Sequence, residues 1–216
     1  TGNLSKYYEF EHVDMSSGEW LVLTRTRYML NELEDTLYRN GFYYKNKFKK
    51  TKEQELHYAA VDWENLRKGQ PLAYKEVERI YSYMNDNTDK TKLKGMLKDS
   101  SYDITTLKKD YGLKVDTPWF EAFDDAPKRD VDYLRKMRKN GEKLNQPPRI
   151  TLSTIHGAKG GESQNVVLLT DLSLNTYNAY EKNPDDENRL FYVGATRTKE
   201  HLHIISPKQE YKGYNI

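Results

Sequence analysis

The sequence predicts an α/β protein with an open parallel sheet, flanking helices and a small helical insertion. Its C-terminal part carries β-branched and apolar runs at 150–155 and 166–170, which are typical of buried strands. Near-helical apolar spacing follows at 186–196, and a third apolar run lies at 201–206. Strand, loop, strand, helix and strand in this order indicate an open α/β sheet, in which ligands bind at the carboxyl ends of the strands.

The N-terminal part predicts a second piece of the same sheet. Residues 1–17 are a polar lead-in, and 19–24 read as a buried strand. Apolar residues at helical spacing predict a helix from Met29 that ends at Asn40-Gly41, and a short strand is expected at 42–44. We therefore expect this piece and the C-terminal run to share one sheet, with parallel strands.

The middle of the chain predicts helices at 50–68, 74–85, 91–98, 101–112, 118–123 and 127–140. Asn145-Gln146-Pro147-Pro148 reads as a linker that returns the chain to the sheet. The predicted domains are accordingly 1–70 and 148–216, as two halves of one sheet domain, with 71–147 as a helical accessory insertion.

Composition excludes several classes of function. Lys and Arg number 35 against 33 Asp and Glu, so bulk charge does not indicate nucleic acid, and any DNA contact must be a local patch. The absence of cysteine excludes disulfides and thiolate chemistry, and no residue set has zinc-ligand spacing. The sequence shows no membrane span and no secretory signal, so a cytoplasmic protein without a membrane partner is expected.

Two motifs carry a family resemblance. T-x-H-x-x-K-G-x-E runs from Thr154 to Glu162, and E-x-R-L-x-Y-V-x-x-T-R runs from Glu187 to Arg197. In order and spacing they resemble the last two signature motifs of UvrD-like superfamily 1 DNA helicases. Thr24-Arg25-Thr26-Arg27 is similar to a turn that follows an earlier strand in that family. The resemblance implies a RecA-like motor domain of the P-loop NTPase fold, here the second of two.

The resemblance also implies a nucleotide site. Arg197 matches the arginine that reaches the γ-phosphate from across the cleft between two motor domains, and phosphoryl transfer is stabilised by such a cation. We expect Arg197 to be catalytic and to bind ATP. Glu162 is expected to bind the nucleotide ribose, and Gly160 is expected to let the backbone approach the nucleotide. The alternative is an ordinary surface arginine paired with Glu187 or Glu200. The alternatives are that Glu162 is a solvated loop acid and that Gly160 is a plain turn glycine.

A DNA-binding set is implied by the same motifs. Thr154 and His156 match positions that face single-stranded DNA, and a hydroxyl or an imidazole can bond phosphate or stack on a base. Lys159 could neutralise a phosphate or pair with Glu162, and Arg25 could face ligand or cap a helix. Arg189 and Tyr192 are expected to brace the motif helix.

The sequence lacks a G-x-x-x-x-G-K-[ST] phosphate loop and an evident metal-holding acidic strand end. We therefore expect the C-terminal domain fragment of an ATP-dependent DNA helicase, inactive alone, whose ATP and Mg²⁺ are bound only with the N-terminal motor domain of the same polypeptide. Its other partner is single-stranded DNA. One alternative is a degenerate helicase-like module that binds DNA or a protein without hydrolysis, and a weaker one is an unrelated α/β nucleotide-binding protein.

Overall fold

A computed structural model describes residues 2–49, 53–143, 146–158 and 160–214. The strands in these residues are β1 Asn3–Tyr7, β2 Trp20–Thr24, β3 Tyr44–Asn46, β4 Leu72–Ala73, β5 Ser101–Tyr102, β6 Ile150–Thr154, β7 Ser163–Leu169 and β8 Thr198–Ile205. The α-helices are α1 Leu30–Asn40, α2 Glu53–Arg67, α3 Tyr74–Ser82, α4 Ile104–Asp110, α5 Trp119–Ala122, α6 Lys128–Lys139, α7 Leu174–Lys182 and α8 Pro184–Ala195. Short 3-10 helices lie at Phe10–His12, Arg27–Met29, Lys90–Gly95, His156–Ala158 and Glu210–Lys212.

The chain forms two compact units, one drawn from 1–50 and 136–216 and the other from 51–135. The first unit is built on a parallel sheet whose strand order is β1-β8-β7-β2-β6-β3. β2 is bonded to β6 on one side and to β7 on the other. The predicted α/β class with an open parallel sheet is therefore confirmed, and strands from the two ends of the chain share that sheet.

The core of the first unit lies against both faces of β2. All five β2 residues are buried, which suits a parallel strand that is covered on both sides. On one face Leu21 and Leu23 belong to an apolar cluster with Val166 and Leu168 of β7 and Phe191 of α8. The helix approaches closely because residue 194 is glycine: a Cβ there would lie 3.2 Å from Leu168 Cδ1.

Helix α1 connects β2 to β3 and ends where the sequence predicts. Its apolar residues Leu30, Leu33 and Leu37 are buried on one side. Gly41 then adopts a left-handed conformation with φ of 72°, and its N–H donates to the Tyr38 carbonyl at 3.1 Å.

The C-terminal part of α6 docks on this helix end. Lys136 Nζ donates to the Arg39 carbonyl at 2.7 Å. Asn140 Nδ2 donates to the Asn40 carbonyl at 2.8 Å. These bonds use carbonyl oxygens that the end of a helix leaves without partners inside the helix.

The second unit is helical, with a short antiparallel pair between β4 and β5. Trp63 of α2 and Trp119 of α5 are buried, and both rings contact Phe123, at centroid distances of 6.1 and 6.3 Å. The Trp63 indole N–H donates to the Thr117 carbonyl at 2.9 Å. Since α2 shares this core, the compact units do not follow the predicted limits of 1–70, 71–147 and 148–216. Residues 53–67 belong to the helical unit, and 136–143 belong to the sheet unit.

Several elements differ from the sequence expectations. The lead-in at 1–17 contains β1, which pairs with β8, and the residues between β7 and α8, for which no helix was predicted, contain α7. The helix expected at 91–98 is a 3-10 helix at Lys90–Gly95. The expected linker at 145–148 lies partly outside the described residues. No helix in the described part of the chain is both long and apolar enough to cross a membrane.

A stack of rings lies at the edge of the sheet formed by β1 and β8. The imidazoles of His201 and His203 are stacked with centroids 4.1 Å apart, and the Trp20 ring lies 5.0 Å from His203. Ser5 Oγ is 2.9 Å from His201 Nε2, and the Tyr7 hydroxyl is 3.3 Å from His203 Nδ1. His203 is 6% exposed, and its Nε2 has no partner among the described residues. Burial, followed by the neighbouring His201, lowers the pKa of His203 to about 4.

We predict that this histidine makes the protein less stable in mild acid. An unfolded histidine has a pKa of about 6.5, so between that pH and about 4 the unfolded chain binds a proton that the folded chain does not. The free energy of unfolding should therefore fall as the pH drops through this window. Urea unfolding at pH 7 and pH 5 measures it, and His203→Phe should reduce the difference. His12→Gln is the control, because the His12 side chain is 64% exposed. Equal pH dependence in His203→Phe and the unmodified chain would contradict the prediction.

We predict that Gly41→Ala destabilises the sheet unit by about 2–5 kcal/mol. A left-handed conformation costs a side-chain-bearing residue about 1–2 kcal/mol, and overpacking adds about 1–3 kcal/mol. The new Cβ would lie 2.3 Å from Lys136 Cβ and 2.9 Å from the Lys136 carbonyl carbon. Gly141→Ala is a matched control, because Gly141 has φ of 73° but no heavy atom within 4 Å of the added Cβ. Urea unfolding should show a larger loss for Gly41→Ala, and equal losses would mean that the crowding costs nothing.

Candidate functional site

Part of the predicted site lies at the carboxyl edge of the sheet. Thr24 of β2 and Thr154 of β6 are paired in register at the ends of their strands, and the Ile155 N–H continues the ladder to the Thr24 carbonyl at 3.0 Å. Arg25 follows β2 directly, and His156 begins the 3-10 helix after β6. Three of the residues expected to bind DNA are therefore neighbours at one edge.

The residues expected to bind nucleotide lie at the other edge. Glu162 immediately precedes β7 and Arg197 immediately precedes β8. The Ser163 N–H donates to the Arg197 carbonyl at 3.1 Å, which joins the two motifs. Because the strands are parallel, this amino edge is opposite the edge that carries Thr154 and Arg25. Glu162 and Arg197 therefore do not lie at the carboxyl ends of the strands, where ligands of open α/β sheets are expected.

Arg197 is half-buried and held by the end of α8. Its Nε donates to the Val193 carbonyl at 3.0 Å, and its backbone N–H donates to the Gly194 carbonyl at 3.2 Å. Neither acid considered as an alternative partner binds it: Glu187 pairs with Arg25, and Glu200 accepts from Gln164 Nε2 at 3.0 Å. Within the described residues Arg197 makes no ion pair, so its two Nη groups remain as donors at the amino edge.

The loop before β7 carries Gly160 and Glu162, and it ends at Ser163, whose N–H is bonded to the Arg197 carbonyl. The Glu162 side chain is exposed. Gly160 has φ of 83°, and a Cβ added to it would meet no heavy atom within 4 Å, so its backbone is open to close approach. Gly161 donates its N–H to the Ala158 carbonyl at 2.8 Å, which closes the turn. Lys159 lies outside the described residues.

Thr154 shapes the turn at the carboxyl edge. Its hydroxyl is largely buried and accepts a hydrogen bond from the Gly157 N–H at 3.0 Å. His156, two residues later, is exposed. The structure therefore places His156 toward solvent, while the Thr154 hydroxyl is used inside the loop.

Arg25 forms a bidentate ion pair with Glu187 in the first turn of α8. Arg25 Nε is 2.8 Å from Glu187 Oε2, and Arg25 Nη2 is 2.8 Å from Glu187 Oε1. The Glu187 side chain is only 7% exposed and that of Arg25 21%. Two parallel charge-assisted bonds fix both side chains, and the pair ties the end of β2 to the start of the motif helix.

Three residues at the carboxyl edge were not singled out as site residues by the sequence. Lys47 Nζ donates to the Gly157 carbonyl at 3.2 Å. The Phe48 ring lies against Gly157, since a Cβ there would be 2.8 Å from Phe48 Cζ, and the Arg27 guanidinium carbon is 4.2 Å above the same ring. Two cations and an aromatic ring next to exposed His156 are groups that bind phosphates and bases. The only sequence signal was a basic and aromatic run after a short strand.

The expected bracing of α8 by Arg189 and Tyr192 is wrong. Arg189 is exposed, and Tyr192 is 71% exposed. The helix is instead held by Glu187 and by Phe191, whose ring stacks on Tyr214 with centroids 4.0 Å apart. Buried neighbours rather than motif membership decide which side chains of this helix brace it.

The described residues contain no cluster of three or more His, Cys, Asp or Glu side chains arranged to hold a metal ion. The acidic first turn of α8 comprises Asp185, Asp186 and Glu187, which favours the helix through its dipole. Of these, Glu187 is already engaged by Arg25.

A known protein family matches most of the chain. The family of the UvrD-like helicase C-terminal domain matches residues 43–209, which is more than half of the chain and includes both motifs. The chain therefore belongs to the UvrD-like helicase C-terminal domain family. A comparison with curated proteins gave no significant match.

We predict that Thr154→Val loosens the turn after β6, whereas Thr154→Ser preserves it. Valine has a similar shape but no hydroxyl, so the Gly157 N–H would lose its acceptor at a cost of about 1 kcal/mol. Amide exchange at Gly157, measured by NMR, should accelerate in the valine variant only, and urea unfolding should show the matching loss. Equal exchange in the two variants would mean that the hydroxyl does not hold the turn.

Proposed function

We propose that this chain is the second motor domain of an ATP-dependent DNA helicase that couples ATP hydrolysis to translocation on single-stranded DNA and duplex unwinding. The observation that carries the proposal is Arg197, which α8 holds through its Nε at the amino edge while its Nη groups stay free of any ion pair in the described chain. If Arg197 only capped α8, the acid and the glycine of the family pattern would have no reason to accompany it. Glu162 and Gly160 are that acid and glycine, and they lie in the loop before β7, the strand next to β8.

The amino edge is proposed as this domain's half of the nucleotide site. A guanidinium offers planar, fixed donors to phosphate oxygens, and Arg197 is positioned before any ligand arrives, because two of its N–H groups are already bonded to α8. Glu162 would accept a hydrogen bond from a ribose hydroxyl, and Gly160 would let the backbone come close to the nucleotide. Arg197 would then stabilise the negative charge that develops on the phosphate during transfer, without changing its own conformation.

The carboxyl edge is proposed as the single-stranded DNA track. His156 is exposed there, the Arg27 guanidinium lies over the Phe48 ring, and Lys47 is bonded to the Gly157 carbonyl. Arg25, paired with Glu187, keeps its Nη1 group at the same edge. Thr154 would act through the Gly157 turn as well as through any direct contact. Lys159 remains a prediction for this set. Cations that position the backbone and a ring on which bases stack are the usual means of sequence-independent strand binding.

The phosphate cradle and the Mg²⁺ ligands are proposed to come from an N-terminal motor domain of the same polypeptide. No G-x-x-x-x-G-K-[ST] occurs in this sequence. ATP would thus be held between two domains, and this chain alone is expected to show no hydrolysis. An intracellular protein follows from the proposed substrate and is also a prediction.

A second candidate function is a helicase-like module that grips DNA or a partner without hydrolysing ATP. The observation that favours it is the engagement of Arg25 by Glu187 and of the Thr154 hydroxyl by Gly157, which suits a structural scaffold. The two candidates differ in what Arg197 does, and that difference can be measured.

The deciding experiment substitutes Arg197 in the full-length protein. We expect Arg197→Ala to lower ATP turnover with saturating single-stranded DNA by about a thousandfold or more, since supplied arginines act mainly on the transition state. Affinity for a fluorescent ATP analogue and for DNA should change much less. Arg197→Lys keeps the charge but loses the fork of donors, so it should rescue little.

Arg39→Ala is the control, because Arg39 is an arginine on α1 whose side chain is 67% exposed. It should leave turnover near that of the unmodified protein. Near-normal turnover in Arg197→Ala would show that Arg197 is structural and would favour the module without hydrolysis.

A further inference from the structure

The Arg25–Glu187 pair connects the proposed DNA track at the carboxyl edge to α8, the helix that leads to the proposed nucleotide site at the amino edge. Arg25 follows β2 at the carboxyl edge, where Thr24 is paired with Thr154. Glu187 lies in the first turn of α8, and the helix ends at Ala195, two residues before Arg197. A helix of twelve residues is about 18 Å long, so α8 spans the distance between the two edges of the sheet.

Helix α8 is packed so that its two ends are connected rigidly. Gly194 lies against Leu168 and Ile155, where an added Cβ would be 3.2 and 3.4 Å from their side chains. Phe191 is 1% exposed within the core cluster. At the far end, the Arg197 Nε is bonded to a carbonyl of the helix itself. A shift or rotation of α8 at Glu187 would therefore move the Arg197 side chain.

Arg25 is able to serve two partners. Its Nε and Nη2 are directed at the Glu187 carboxylate, at 2.8 Å each. The remaining Nη1 has no hydrogen bond or ion pair among the described residues, and the side chain keeps 21% of its surface exposed. A phosphate oxygen bound at Nη1 would share the guanidinium with Glu187. Phosphate binding at the carboxyl edge would therefore change how strongly Arg25 holds the first turn of α8.

We propose that Arg25 and Glu187 are positioning residues that couple a single-stranded DNA phosphate at the carboxyl edge to the orientation of Arg197 at the amino edge. This inference rests on the proposed function for its two ligands. The coupling passes through one ion pair and one packed helix, both of which the structure shows in contact. Linkage requires the effect to be mutual. A ligand that binds Arg197 must change DNA affinity by the same factor by which DNA changes the affinity for that ligand.

The chain offers a matched control. Arg149 and Glu142 form a second bidentate pair in the same unit, with Arg149 Nη2 at 2.6 Å and Nε at 3.2 Å from the two carboxylate oxygens. Their side chains are 22% and 3% exposed, close to the values of the coupling pair. Glu142 and its partner Arg149 both lie before β6, outside the motif helix α8. Glu142→Gln therefore reproduces the loss of a buried arginine partner without a change at the motif helix.

The experiment follows the arginine Nε–H signals of this chain by ¹⁵N NMR while oligothymidylate is added at low salt. Arg25 and Arg197 both have hydrogen-bonded Nε–H groups, which suits this measurement. We expect both signals to shift with the same apparent Kd in the unmodified chain and in Glu142→Gln. In Glu187→Gln the Arg197 signal should stay still, while the Kd measured by anisotropy changes less than tenfold.

The outcomes separate the coupling from the proposed function. If oligothymidylate binds but the Arg197 signal of the unmodified chain does not move, the coupling is overturned and the DNA-binding function stands. A response of Arg197 that persists in Glu187→Gln also overturns the coupling, because the signal then reaches Arg197 by another route. Absence of binding to the unmodified chain overturns both. In the full-length protein, DNA-stimulated turnover should fall about fivefold or more in Glu187→Gln but not in Glu142→Gln.

Discussion

The parallel pairing of β2 with both β6 and β7 is the constraint on which the rest of the structure depends. Residues 20–24 are bonded to 150–154 on one side, and residues 20–23 to 165–168 on the other. This register sets Thr24 beside Thr154 and thereby brings Arg25 to the strand ends. It also fixes the start of β7, and with it the bond from Ser163 to Arg197. A shift of β2 by one residue would exchange its two buried faces and separate these groups.

The arrangement explains how one small sheet can hold two proposed ligands apart. β6 ends at the carboxyl edge, and the chain then crosses back to begin β7 at the amino edge, so a single loop from Ile155 to Glu162 carries residues of both kinds. α8 makes the same crossing, from Glu187 to Arg197. Two connections that traverse the sheet face therefore link the edges, and both contribute to one apolar cluster with β7. The loop and the helix therefore share apolar neighbours in the core of the sheet unit.

The sequence predicted the centre of the fold well because burial on both faces leaves a strong apolar signal at 19–24 and 166–170. It missed β1, whose residues NLSKY carry no such signal, since the strand is defined by its pairing with β8 rather than by its own composition. α7 was missed for a related reason: its start depends on Ser173, whose hydroxyl caps the Thr176 N–H at 3.1 Å, within a run that is mostly polar. The insertion predicted at 71–147 does not coincide with the compact unit at 51–135, which includes α2, because periodicity does not reveal which core a helix joins.

For the site, the motif spacing located Arg197, Glu162, Thr154 and His156 on the chain but not in space. The rule that ligands bind at the carboxyl ends of strands applies to loops that follow strands. Arg197 instead lies directly before a strand, β8. Glu187 stood in the quoted motif, yet its partner Arg25 is far away in sequence, and only the fold brings the two together. Lys47 and Phe48 lie after a three-residue strand whose position next to β6 could not be read from its residues.

The strand order has a consequence for the sequence of events during synthesis. β2 is synthesised before both of its neighbours, which lie beyond residue 149, after the whole helical unit. A strand whose residues are all apolar except Thr24 must therefore wait without its sheet partners while residues 51–135 emerge and can already fold. Exposed strands of this kind are prone to aggregation, and slow closure of long loops prolongs the exposure. The nascent chain thus carries an unpaired apolar strand until β6 and β7 have been synthesised.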